Sequence, residues 1–368
     1  MEANINFDGG QGLTGFQINN GKLDPGRMRP YAKFDPTGRI PLGQFMTVYK
    51  GVGNPDDASS YHEIQVNNSL SVNDSVLRPT EWRQLDQAII PEALSRLGGI
   101  EDLRTNGLVY NLGNAMGTTV LEWHDQKGQM EAIVSMDGTT RGSNNRPVYN
   151  THYLPIPIIH VDYEINARAL AASRNLGNPL DTTDATMARR AIDLKLEEML
   201  FSSTTDYSYG NGKIQSYINY DDKEDITLDA HWDASGKTGA QILADVQEMK
   251  ASLVAVKHFG PYMLYIPTAY EAVLDNDYST AKGTNTIRER ILQLPSIKGI
   301  KTIDTLPANN VLLVQMTSDV VRLVQGMGIQ NVQWGVEGNM ITKFKVMTIQ
   351  VPQIRSDPAG KTGIAHLA

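Results

Sequence analysis

The pattern of apolar and polar residues over positions 181–203 predicts one long helix. One apolar stripe consists of Ala185, Ala188, Ile192, Leu196 and Met199, and a second consists of Met187, Ala191, Leu194 and Phe201. The stretch from 181 to 203 has no Gly or Pro and is rich in good helix formers, so it would extend about 35 Å. Oxygens of Asp181, Thr182 and Thr183 are available to cap its first amides. A helix that lies on one core needs only one stripe, so two stripes predict packing on more than one side.

A second helix is predicted over residues 80–97. Thr80 is placed to cap it, and Pro91 would kink it within the chain. Gly98 and Gly99 follow and are expected to end it. A short strand is predicted after these glycines, over residues 108–112.

Residues 114–150 are predicted to form a long hairpin. The segments TTVLEWHDQ and QMEAIVSM flank a turn expected near Lys127 and Gly128, and a polar stretch returns from it. Few residues in this region could build a core, so the hairpin would project as a ribbon. Because an isolated two-stranded ribbon is marginally stable in water, it needs another surface to lie against. A strand over 156–165 would lead back to the long helix.

From about residue 217 the pattern is that of a compact mixture of helices and strands. Helix 238–258 begins with a capping box formed by Thr238 and Gln241. Shorter helices are expected around residues 268–274 and 286–292. A small mixed layer is predicted from strands at 262–266, 302–303, 311–315 and 320–323. The chain then closes with a hairpin of strands 331–336 and 340–355, in which Phe344, Val346 and Thr348 share one face.

The first 79 residues are predicted to form an arm. They are punctuated by Gly and Pro, which excludes a long helix. Apolar residues persist among them, which favours an extended segment that is ordered by lying on another surface. Residues 22–39 carry five cations against two carboxylates, a local net charge of +3.

Composition limits the classes of function. The 368 residues include 41 Asp and Glu against 33 Lys and Arg, so the net charge of −8 gives no overall attraction to nucleic acid or to an anionic membrane. The absence of Cys excludes disulfides and thiolate chemistry. There is neither an apolar run long enough to span a membrane nor a secretory signal at the first residues.

No motif for catalysis, cofactor binding or metal binding is present. The seven His residues are scattered, and His231 with Asp233 is the nearest approach to an acid–base pair, in a polar loop. The sequence therefore predicts no catalytic residue, no cofactor and no metal. An enzyme remains the alternative reading, since active sites need not follow motifs.

The order of the pieces carries a family resemblance. The segments EWRQLDQAIIPEALSRLGG, LPIPIIHVDYEINARAL and ATMARRAIDLKLEEMLF begin at Glu81, Leu154 and Ala185. In this order, with a projecting hairpin and a compact mixed domain, they resemble the HK97-like fold of tailed-phage major capsid proteins and encapsulin shells. The resemblance covers about residues 80–355.

The resemblance implies an α+β, HK97-like capsid fold. Its parts would be an N-terminal arm (1–79), a helix and first strand (80–113), an extended loop (114–153), a peripheral domain with the spine helix (154–216), an axial domain (217–328) and the returning peripheral strands with the C-terminus (329–368). The implied function is a structural protein that self-assembles, as hexamers and pentamers, into a closed icosahedral capsid enclosing phage DNA. Its location would be the virion capsid, assembled in the host cytoplasm. Non-specific contact with packaged DNA is expected, cement, portal or scaffolding proteins are further partners, and no membrane is involved.

Three sets of residues are expected to carry this function. In the intersubunit extended loop they are Trp123, His124, Lys127, Met130 and Arg141. The arm contacts are Arg27, Arg29, Lys33 and Arg39, and the spine-helix packing residues are Ile192, Leu196 and Met199. An encapsulin-type nanocompartment enclosing cargo enzymes is the alternative, but encapsulins begin close to the Trp82 helix, and the long arm favours a capsid. The basic arm residues would either pair with acidic patches such as 221–225 on other subunits or face packaged DNA.

Overall fold

The computed structural model describes residues 4–5, 16–17, 31–34, 41–49, 61–67, 77, 79–89, 98–113, 115–127, 134, 136, 148–170, 182–203, 207–279, 285–337 and 340–368. The helices are α1 Pro79–Ile89, α2 Gly98–Thr105, α3 Thr183–Phe201, α4 Gly239–Ala255, α5 Glu271–Leu274 and α6 Ile287–Leu292. The strands are β1 Asn4–Ile5, β2 Phe16–Gln17, β3 Tyr31–Phe34, β4 Pro41–Tyr49, β5 Tyr61–Asn67, β6 Val109–Asn111, β7 Val120–Lys127, β8 Val148–Pro155, β9 Ile159–Asn166, β10 Tyr207–Tyr209, β11 Gly212–Ile214, β12 Glu224–Ile226, β13 Tyr262–Pro267, β14 Ile297–Ile303, β15 Val311–Gln315, β16 Val321–Glu337, β17 Ile341–Ile354 and β18 Ile364–Leu367.

A five-stranded mixed sheet forms one half of the described fold. Its order is β12-β18-β15-β13-β14, and β15 runs antiparallel to both of its neighbours. Every residue of β13 is buried. Tyr262 and Leu264 face the core beneath α4, whereas Met263 and Tyr265 face the core shared with α3. The alternation of side chains along a strand therefore places this sheet between two packed layers.

A four-stranded sheet forms the other half, in the order β6-β16-β17-β9. The long antiparallel ladder of β16 and β17 runs from Val321 opposite Ile354 to Glu337 opposite Ile341. Phe344, Val346 and Thr348 are completely buried, and the first two belong to the core that contains α3. Phe344 and Val346 thus lie on one face of β17, as expected from the sequence, and α3 packs on that face.

The long helix α3 buries the first predicted stripe along its whole length and the second only at its C-terminal end. The first stripe, Ala185, Ala188, Ile192, Leu196 and Met199, is buried. In the second stripe Phe201 is buried, but Met187 is 63% and Leu194 41% exposed. The predicted packing on more than one side is therefore found at the C-terminal end of the helix, where Phe201 and Glu197 contact α2, but not at Met187 and Leu194. The helix begins at Thr183, and the preceding Thr182 makes no side-chain cap, unlike the expectation.

The two glycines expected to end the second helix instead begin α2. Gly98 and Gly99 are its first residues, and α1 spans Pro79–Ile89. A Cβ added at Gly99 would lie 2.4 Å from a ring carbon of Phe201, so the absent side chain permits a close approach of α2 to α3. Pro91, the expected kink, lies outside the described residues.

The projecting ribbon has a different partner from the one expected. Strand β7 pairs with β8, from Val120 opposite Pro155 to Lys127 opposite Val148. The turn expected near Lys127 and Gly128 is therefore wrong, because Lys127 still belongs to the ladder. The strand predicted at 156–165 is present as β9, which begins three residues later than expected, and residues 156–158 separate it from β8.

Two further strand assignments change. Residues 320–323 were expected in the small mixed layer, but β16 begins at Val321 and belongs to the four-stranded sheet. Strand β18, near the C-terminus, pairs with β12 and β15 in the five-stranded sheet rather than with the returning strands. The residues of β18, near the C-terminus, are therefore hydrogen-bonded to strands from the middle of the chain.

In the arm, β1 pairs with β2, and β3, β4 and β5 form a three-stranded antiparallel sheet. The described residues of the arm include no helix before Pro79. Lys33 belongs to β3, while Arg27, Arg29 and Arg39 lie outside the described residues.

Candidate functional site

The root of the ribbon is fixed to its own subunit. Trp123 of β7 lies opposite His152 of β8, and their rings stack at 5.4 Å. Trp123 also packs against the core cluster that contains Leu154 and Ile214. Strand β11 pairs with β10 in a short hairpin. A Cβ added to Gly212 of β11 would lie 2.6 Å from a backbone oxygen of β8, so the β10–β11 hairpin packs closely against the ribbon.

Beyond this root the ribbon is exposed. The side chain of His124 is 57% exposed and is hydrogen-bonded to Thr151 over 3.1 Å. Tyr149, Val134 and Met136 are large apolar residues that face solvent in the single chain. Exposed apolar side chains such as these are available for burial against another chain.

The five residues expected to form intersubunit loop contacts differ in how much of their surroundings the structure describes. Trp123 is half-buried within its own subunit and His124 is exposed. Lys127 ends β7, and its side chain lies outside the described residues, as do Met130 and Arg141. The intersubunit role of this set stays a prediction.

The spine-helix residues lie in the largest core. Ile192 and Leu196 are completely buried and Met199 is nearly so. On the opposite side of the helix, Met187 and Leu194 form an apolar surface that the described residues leave exposed.

Sequence reasoning missed a buried polar junction between α2, α3 and the five-stranded sheet. The carboxylate of Glu197 is fully buried and accepts the backbone N–H groups of Gly99 at 2.8 Å and Ile100 at 3.3 Å. Burial raises the pKa of Glu197 to about 7, although the two backbone hydrogen bonds oppose this shift. The group is thus poised between its neutral and charged forms near neutral pH.

A second carboxylate completes this junction. Asp102 forms an ion pair with Lys301 at 2.6 Å and accepts a hydrogen bond from the Tyr265 hydroxyl at 3.0 Å. Burial, with a further contribution from nearby carboxylates, holds the pKa of both Tyr217 and Tyr265 well above the ordinary value. The only sequence signal for this junction was the presence of Glu197 beside the buried stripe of α3.

The described residues include no group of three or more His, Asp or Glu side chains arranged to hold a metal ion. His231 and Asp233 are both exposed, on either side of the buried Trp232, so they do not form a shielded acid–base pair. None of the described helices is both long enough and apolar enough to cross a membrane.

Comparisons with known proteins agree with this architecture. A family model described as a family of unknown function, DUF6260, matches residues 78–367. Among solved structures, the capsid of Myoviridae phage XM1 is similar with a TM-score of 0.56 and 10% identity, over 76% of this chain and 93% of the phage chain. A virus-like particle from Pyrococcus furiosus gives a TM-score of 0.54 and 18% identity, over 78% and 98% of the two chains. The capsid of a native GTA particle is similar with a TM-score of 0.52 and 13% identity, over 76% of this chain and 92% of the GTA chain. The expected HK97-like fold is confirmed.

Proposed function

The chain belongs to the DUF6260 family, and from its HK97-like fold we propose that it is a structural protein whose copies assemble into a closed icosahedral capsid around phage DNA. The observation that carries the proposal is the likeness of the fold, over most of its length, to the phage capsid chain. Hexamers and pentamers of the chain would build the shell of the virion. The chain would have a structural role and no enzymatic one. The shell would assemble in the host cytoplasm. Cement, portal or scaffolding proteins would be its further partners.

The exposed surfaces of the single chain support assembly. The ribbon formed by β7 and β8 contacts its own subunit at its root and exposes apolar residues farther out. Met187 and Leu194 of the second stripe of α3 are likewise uncovered. Burial of such surfaces is a dominant favourable term in protein association, and many modest contacts together stabilise a closed shell.

The parts of the capsid fold follow from the two sheets. The peripheral domain would be the four-stranded sheet with α3, and the axial domain would be the five-stranded sheet with α4 and α6. Because β18 belongs to the five-stranded sheet, the axial domain would also include these C-terminal residues. The extended loop would begin and end with the ribbon strands β7 and β8.

An encapsulin-type compartment that encloses cargo enzymes is the second candidate, favoured by the likeness to the virus-like particle. The two candidates differ in contents. A capsid retains nuclease-resistant DNA when it is isolated from cells that supply the packaging proteins, whereas a compartment retains protein cargo.

Electron microscopy of the purified full-length protein tests the proposal. Closed particles of uniform size are expected from the intact chain. A variant in which Asn-Gly replaces residues 128–147, so that a two-residue turn joins the paired strands β7 and β8, should retain its circular-dichroism spectrum but form no particles. A monodisperse monomer from the intact chain, at high concentration and across salt conditions, would overturn the assembly proposal. Normal particles from the deletion variant would overturn the role of the ribbon.

A further inference from the structure

The two edges of the five-stranded sheet carry opposite charge. Strand β12 lies at one edge and β14 at the other, with three strands between them, so the edges are about 19 Å apart. Residues 221–233, which include β12, have six carboxylates and one cation, a net charge of −5. Residues 286–303, which include α6 and β14, have four cations and one carboxylate, a net charge of +3. These two segments define an acidic edge and a basic edge of the same sheet.

Two cations of the basic edge have no counter-charge within the described part of the chain. Arg288 and Lys301 are each paired with a carboxylate of their own subunit. Arg290, in contrast, donates to the side-chain oxygen of a glutamine over 2.8 Å, and Lys298 donates to that of an asparagine over 3.2 Å. Both residues are exposed. Their charges are therefore held in place by neutral partners and are available to a carboxylate from outside the chain.

The acidic edge has two carboxylates in the same condition. Glu224 and Asp225, on β12, are paired with lysines. Asp221, three residues before the strand, accepts a hydrogen bond from a glutamine side chain over 3.1 Å. Asp229, three residues after it, forms no ion pair with any described residue. Both are exposed, so each edge presents two charges that the single chain does not neutralise.

Exposed apolar side chains accompany the basic edge. Leu292, the last residue of α6, is 41% exposed, and Phe259 is 65% exposed. A Cβ added to Gly260, which follows this phenylalanine, would lie 3.1 Å from the Cβ of Ser296, just before β14. The aromatic ring therefore belongs to the basic edge. Aromatic side chains are enriched in protein interfaces, where charged groups surround them at the rim.

Small apolar side chains lie beside the acidic edge. Pro358 and Ala359 are both exposed. The turn that contains them is held to the edge by Lys361, which forms an ion pair with Glu224 of β12 at 2.9 Å. Each edge thus combines uncompensated charge with apolar surface, and the two edges differ in the sign of the charge.

From this arrangement we infer that the axial domains of neighbouring copies associate side by side, with the basic edge of one copy against the acidic edge of the next. Arg290 and Lys298 would face the Asp221 and Asp229 side chains of the neighbouring copy. Because this contact joins two different surfaces, it is heterologous, and it generates a ring when its rotation closes. The inference rests on the proposed function and deepens it, since rings of five and six copies build a closed shell.

Other occupants fit the two edges less well. In a two-fold contact each surface meets its own copy, so basic would face basic and acidic would face acidic, which is unfavourable. DNA would neutralise the basic edge but would be repelled by the acidic edge of the same sheet. A second copy of the chain, in contrast, neutralises both edges at once.

Charge reversal tests the two edges separately. R290E/K298E makes both edges acidic and D221K/D229K makes both basic, so copies of either variant repel one another across the contact. In assembly followed by light scattering, the concentration for half-assembly should rise at least about tenfold for each. Replacement of the same residues by Gln or Asn removes attraction without adding repulsion, so shells should still form, at a smaller cost. Because all four residues are exposed, the circular-dichroism spectra of the unassembled subunits should not change.

A variant with all four reversals is the matched control. It keeps the native net charge of −8 and exchanges the signs of the two edges, so it should assemble like wild type. An equimolar mixture of the two double variants should also assemble, because acidic and basic copies alternate around a ring of six. A ring of five cannot alternate completely, so the mixture should give fewer closed particles than the four-site variant.

Double variants that assemble at the wild-type concentration would overturn the inference, and so would a folded four-site variant that assembles no better than they do. Normal empty shells of R290E/K298E with less nuclease-resistant DNA would assign the basic edge to DNA instead. Sedimentation of the mixture at low salt separates this inference from the proposed function. If wild type forms no particles, the proposed function fails, whereas association of the two double variants with each other and not with themselves would still support the contact between the edges. No association in the mixture would overturn that contact.

Discussion

The Glu197 carboxylate accepts the backbone N–H of Gly99 over 2.8 Å, although the two residues are 98 positions apart. This bond joins the last turns of α3 to the first turn of α2. The first amides of a helix have no partner within the helix and carry its partial positive charge, so a carboxylate there is stabilising. The burial of Glu197 opposes this gain, and the balance between the two makes the junction sensitive to pH.

The contribution of Glu197 to the stability of the subunit should fall as the pH rises from about 5 to 7. The pKa of Glu197 is raised from 4.5 to about 7 in the folded chain, so the folded state binds the proton more tightly than the unfolded state. The stabilisation is complete below the unfolded pKa and is lost as the pH rises through the folded value, by roughly 3 kcal/mol at most.

The E197Q variant should lack this pH dependence, because its amide does not titrate. Urea unfolding of the unassembled subunit between pH 5 and 8 measures it. E198Q is the control, since Glu198 is partly exposed and paired with Lys195, and it should behave like wild type. Parallel curves for wild type and E197Q would show that Glu197 does not titrate in this range.

Substitution of Gly99 by Ala should destabilise the subunit by about 1–3 kcal/mol, the usual cost of overpacking a core. Its Cβ would overlap the ring of Phe201, which is fully buried and in contact with Tyr265. G113A is the control, because nothing lies within 4 Å of a Cβ there. The urea midpoint of G99A should therefore fall below that of G113A, and equal midpoints would mean that α2 can shift away from α3.

The sequence predicts local features of this chain correctly, whereas contacts between residues far apart in the chain are not visible in it. The capping box of Thr238 and Gln241 involves residues three positions apart, and it is present at the start of α4. The prediction that Gly98 and Gly99 end a helix is wrong because the groups that require their small size, Lys301 at Gly98 and the ring of Phe201 at Gly99, lie 203 and 102 positions away. The partner of β7 was missed for the same reason, since pairing with β8 depends on contacts such as Trp123 on His152.

The two faces of α3 should respond in opposite ways to a charge. L196D places a carboxylate where the side chain is completely buried, which costs several kcal/mol, so we expect insoluble protein. L194D, two residues away, lies on the exposed face and should give a soluble subunit with an unchanged circular-dichroism spectrum. Fractionation of expressed protein compares them. Soluble, folded L196D would contradict the burial of this stripe.

The basic arm residues should affect retained DNA rather than shell formation. One hypothesis pairs them with acidic side chains at 221–225 of other subunits, but most of these groups are occupied within the chain. Asp225 pairs with Lys223 and His366, Glu224 with Lys361, and Asp222 accepts from a serine hydroxyl. Occupied carboxylates attract further cations weakly, which favours the second hypothesis, that the arm faces packaged DNA.

Neutralisation of Arg27, Arg29 and Arg39 to Gln in one variant tests this expectation. Empty shells should form as in wild type, while nuclease-resistant DNA per particle falls, because three phosphate-neutralising charges per copy are removed. A control variant with Lys195, Arg290 and Lys298 changed to Gln loses the same charge elsewhere on the chain and should retain DNA normally. Weakened empty shells with normal DNA content would restore the pairing hypothesis. If neither property changes, the arm's charge serves neither role.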